Sequence, residues 1–100
     1  MDRLVALAVV AVSLGACGGM SREAARREVQ QLTVLYQENR PKFVVQKQEM
    51  IQAKSCERAT ALRAAADELV KEAAMSPSKD DTLTLVQMEL NQAAKECRAK

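Results

Sequence analysis

Histidine and tryptophan are absent from this 100-residue chain, and its only aromatic side chains are Tyr36 and Phe43. Without histidine the chain lacks the commonest general base and the commonest metal ligand. It also lacks a C-x-x-C pair, a glycine-rich phosphate loop and a nucleophile motif, which removes the usual signatures of redox, nucleotide and acyl-transfer chemistry. Charge of one sign is missing too. Fifteen basic and 13 acidic residues are interspersed, for a net charge of +2, so no strong field draws the chain toward nucleic acid. No catalytic residue, metal or cofactor is expected, and no nucleic-acid partner.

Breakers are scarce as well, with three glycines and two prolines. What fills the chain is alanine, leucine, glutamate, lysine, arginine and glutamine, the strong helix formers. Hydrophobic residues make up 48%, but much of that is alanine, which buries little area. The expected fold is all-α with a thin core: a short first helix, then an elongated antiparallel helical hairpin stapled by a disulfide.

The one long apolar run comes first, from Leu4 to Leu14. As a helix it would span about 16 Å, roughly half of a bilayer core of about 30 Å. It is too short to cross a membrane and suits a signal-peptide core. Leu14-Gly15-Ala16-Cys17 follows. This stretch resembles the lipobox of bacterial lipoproteins: an aliphatic residue, two small residues that let a peptidase reach the backbone, then the cysteine that receives the lipid. The resemblance implies that residues 1–16 are a signal peptide and that Cys17 is the lipidated first residue of the mature chain. It also implies a membrane anchor through acyl chains, which is stable once more than one chain is attached. Gly18, where aspartate would argue for inner-membrane retention, favours the periplasmic face of the outer membrane. Residues 17–20 form the lipidated cysteine and a short tether, and 21–100 a helical domain.

Three helices are expected in that domain, at about 22–39, 42–74 and 81–98. Ser21 can cap the first, and Ala25, Val29, Leu32 and Tyr36 recur on one face. Pro41 either kinks the chain or ends one helix and opens the next. In the second helix Ala59, Leu62, Ala66, Leu69 and Ala73 keep a four-three alternation, and its length would be roughly 50 Å. Residues 75–79 break the pattern. Ser78 and Asp81 then form a capping-box-like pair, and Leu83, Val86, Leu90, Ala93 and Cys97 line the third helix.

With Cys17 lipidated, Cys56 and Cys97 remain. A cysteine pair in an exported chain points to a disulfide. In an antiparallel hairpin, positions 56 and 97 face each other if the turn lies between Ser76 and Pro77, inside the loop found independently from the helical pattern. Cys56 falls about 100° from the centre of its helix stripe, so the bridge should cross the edge of the hairpin.

The functional expectation is a small membrane-anchored envelope lipoprotein. It would act as a non-catalytic helical interaction or structural module on an envelope protein partner. Oligomeric state is left open. Arg22, Arg26 and Arg27 offer a basic face, either solvated or against anionic headgroups. Met50, Met75 and Met88 offer either an adaptable surface or core filling. Two family resemblances give alternatives. Cys17, the helical content and the terminal Lys100 resemble the murein lipoproteins, which implies a peptidoglycan link through Lys100. Pro41, the 75–81 loop and the cysteine pair depart from that family's uninterrupted coiled coil. The short, lipid-anchored, cysteine-paired helical layout resembles the exclusion lipoproteins of conjugative plasmids.

Overall fold

The computed structural model describes residues 20–75 and 81–100. The expected signal peptide, the expected lipidation site Cys17 with its tether as far as Gly19, and the expected loop residues 76–80, Ser78 included, lie outside the described residues. Four helices follow one another: α1 (Arg22–Glu38), α2 (Arg40–Gln52), α3 (Glu57–Ala74) and α4 (Thr82–Ala99). The described residues contain no strand.

α1 starts where the sequence places it. The Ser21 hydroxyl accepts a hydrogen bond from the Ala24 backbone N–H at 3.1 Å, which satisfies a donor that the first helical turn leaves orphaned. Ala25, Val29 and Leu32 turn inward. At Pro41 the chain breaks rather than kinks, and Asn39 is the pivot. Its backbone, at φ −149° and ψ 75°, leaves the helix. Its N–H donates to the Leu35 carbonyl, closing α1, and its side chain accepts from the Lys42 N–H, opening α2. Pro41 then occupies the first turn of α2, where its missing N–H costs nothing. Tyr36 and Phe43 meet edge to face across this corner, with centroids 5.0 Å apart. The Arg40 guanidinium covers the Tyr36 ring at 3.5 Å.

The predicted continuous helix over 42–74 does not form. It is replaced by α2 and α3, separated at 53–56, so the roughly 50 Å rod is absent. The physical reason is tertiary. Lys47 of α2 reaches Glu89 and Gln92 of α4, and the Lys100 ammonium, just past α4, donates to the Ala53 carbonyl at 2.9 Å. These contacts run in the same order along both segments, so α2 lies parallel to α4. α3 runs the other way against α4: Cys56 meets Cys97, and Gln87 donates to Asp67 at 2.8 Å. The reversal at 53–56 lets both α2 and α3 bury a face on α4.

One core results. Phe43, Met50, Leu62, Leu90, Val29 and Val86 are its largest fully buried side chains, and no polar or charged residue among those described is buried. Leu32, Leu69, Ala25, Ala59, Ala65, Ala66 and Ala94 complete the cluster. The alanines bring helix axes close, so a core of modest volume can be packed without voids.

Candidate functional site

The hairpin of α3 and α4 carries the most specific chemistry among the described residues, the Cys56–Cys97 disulfide. Its Cα atoms are 5.8 Å apart, within the range of about 4.4–6.8 Å that a bridge requires. Cys97 lies in the apolar stripe of α4 and is buried. Cys56 is half-buried and occupies the N-cap position of α3, with φ −93° and ψ 13°. The bridge therefore ties the start of α3 to the last turn of α4. The sequence placed Cys56 inside a long helix. The structure pairs the same two residues but sets Cys56 at a helix start. With Cys56 making no side-chain cap, the Ser55 hydroxyl accepts from the Glu57 N–H at 3.2 Å instead.

Besides Lys47 on α4, two further sites join the α1–α2 arm to α3. At the first, Arg22 Nε donates to Glu68 at 2.9 Å, while Arg26 reaches Glu68 at 3.1 Å and Glu72 at 2.8 Å. The hydrogen bond from Arg22 is the main cause that holds the Glu68 carboxyl below its ordinary value; desolvation opposes it, and the hydrogen bond from Arg26 adds to the lowering. Arg26 lowers Glu72 in the same way, and the two carboxylates raise Arg26. Of the three arginines read from sequence as one basic face, two are thus spent on α3, and Arg27 stays exposed. A signal for this was present: Arg22 and Arg26 are four residues apart, as are Glu68 and Glu72, which is one helical turn on each side. At the second site Arg58 pairs with Glu28 of α1 and donates to the Gln46 amide oxygen of α2 at 3.1 Å. Three helices meet there beside an open cleft of about 370 Å³ that includes Leu32, Leu35 and Lys42.

The remaining candidates separate. Met50 fills the core, whereas Met75 and Met88 are exposed, at 88% and 60%. Val34 and Val45 are exposed on other helices, so these apolar side chains are distributed over the surface of the bundle. Lys100 holds the Ala53 carbonyl. Among the described residues no group of three or more His, Cys, Asp or Glu side chains could hold a metal ion, and no helix is long and apolar enough to cross a membrane. The arrangement is a set of interhelix clamps among the described residues: one covalent, and three ionic, the third being Lys47 of α2 on Glu89 of α4.

Comparison of the chain with protein families, with curated proteins and with solved structures finds no match.

Proposed function

We propose that this chain is a small lipid-anchored envelope protein whose helical domain is a non-catalytic interaction or structural module. The observation that carries the reading is the Cys56–Cys97 disulfide. Structural disulfides persist in oxidising compartments such as the bacterial periplasm and are rare in the cytosol. An exported chain with Leu14-Gly15-Ala16-Cys17 after a short apolar run has a direct route to that compartment, and lipid on Cys17 would hold it at the membrane surface. The fold supports a structural role, because the polar side chains that meet between helices are engaged in holding helices together. The partner is an envelope protein recognised by the helical surface. Metabolic labelling with a palmitate analogue tests the anchor: the wild-type chain takes up label and Cys17→Ser does not. Label on the serine variant, or a mature chain that starts at another residue, overturns the proposal.

A further inference from the structure

The reversal between α2 and α3 opens with two residues that favour a helix and contains no strong helix breaker. Ala53, Lys54, Ser55 and Cys56 include neither glycine nor proline, and alanine and lysine are among the best helix formers. Ala53 has φ −64° and ψ 151°. Its φ is already that of an α-helix, and only ψ, about −42° in a helix, differs. What holds ψ away from that value comes from elsewhere in the chain: the Lys100 ammonium on the Ala53 carbonyl and the seat of α2 along α4 through Lys47. Local preference and global fold therefore disagree at this one place.

Rotation at Ala53 and its neighbours would join α2 and α3 into one helix from Arg40 to Ala74. The Cys56–Cys97 bridge lies wholly within the α3–α4 hairpin and does not oppose this. Opening would, however, pull Val29, Leu32, Phe43 and Met50 off Leu62, Leu69, Val86 and Leu90, all now in one buried cluster. A second copy of the same chain, opened in the same way, offers the identical complementary surface.

We infer that residues 53–56 are an exchange hinge, and that two copies of this chain form a dimer by swapping their α1–α2 arms. In that dimer α2 and α3 are continuous, and each arm packs on the partner's hairpin. Short hinges held against their local preference are a known route to such exchange. The inference is independent of the lipid anchor.

The test uses the full chain in mild detergent, oxidised and with free thiols capped. Isotopically light and heavy chains are mixed, unfolded and refolded together at high concentration. Mass is read by size exclusion with light scattering, and a zero-length carboxyl–amine cross-linker then traps Lys47 on Glu89. The expected result is a species of twice the monomer mass whose Lys47–Glu89 cross-links join light to heavy peptides. Lys54→Pro should abolish that species while leaving the helical circular dichroism of the monomer intact. Proline forbids the joined helix, and the residue before it, Ala53, already has the extended ψ that proline demands. Absence of a dimer overturns the inference. So do a dimer whose Lys47–Glu89 cross-links stay within one isotope, as in side-by-side association, and a dimer that survives Lys54→Pro.

Discussion

The two halves of the domain are secured by different physics. The α3–α4 hairpin is closed covalently where α3 starts and α4 ends. The α1–α2 arm has no covalent tie to the hairpin beyond the chain itself, and depends on a buried aromatic, Phe43, and on half-exposed ion pairs. A bridge acts mainly on the unfolded chain, whose entropy it lowers, whereas ion pairs near solvent contribute little each and fade with salt. The arm should therefore be the part that opens first, and the hairpin the part that persists.

Breaking the bridge carries the largest expected effect. Removal of a link that closes a sequence separation of 41 residues costs about 4 kcal/mol by chain entropy. Thermal melting followed by circular dichroism should show Cys97→Ser, or the reduced wild type, far less stable than the oxidised chain. A melting curve that reduction leaves unmoved would remove the main contrast between the halves.

Phe43→Ala sharpens the comparison from the other side. Phe43 is 1% exposed and carries the edge contact with Tyr36. Truncation of such a side chain costs about 3 kcal/mol or more. Hydrogen exchange should show protection lost across α1 and α2 while α3 and α4 stay protected. Uniform loss over all four helices would mean that arm and hairpin unfold as one unit.

The smallest expected effect is that of pH. Glu68 and Glu72 ionise more readily in the folded chain than at their ordinary value of 4.5. A carboxyl lowered by folding contributes stability above its unfolded value, and that contribution is lost as pH falls through the folded value. The melting temperature of the wild type should therefore decline as the pH drops below about 4, while Arg26→Gln declines less, so the two curves converge in acid. Parallel curves would show that the clamp contributes nothing measurable, as many exposed pairs do.

Much of this architecture could be read before folding was considered. Ser21 marked the start of α1, Pro41 marked the break that Asn39 executes, and most of each apolar stripe is buried, except that Ala73 is exposed and Tyr36 and Leu83 are half-buried. The cysteine pair was legible because hairpin symmetry and the predicted loop agreed. The ionic clamp was harder to see. Glutamates and arginines on helical faces are usually solvated, and only the one-turn spacing shared by Arg22–Arg26 and Glu68–Glu72 hinted that they meet.

Local signals in the sequence account for the helical class, the ends of α1 and the Cys56–Cys97 pair. These signals are a capping side chain, a proline, a period of 3.6 residues, and two cysteines placed opposite each other by hairpin symmetry. Only the tertiary structure decided that the chain turns back at Ala53. Ala53 and Lys54 favour a helix, so the Ser55 hydroxyl on the Glu57 N–H is only a minor local contribution to the turn. The turn exists because folding α2 back onto α4 buries Phe43, Met50 and Ile51, and that burial outweighs the few helical hydrogen bonds given up at the reversal.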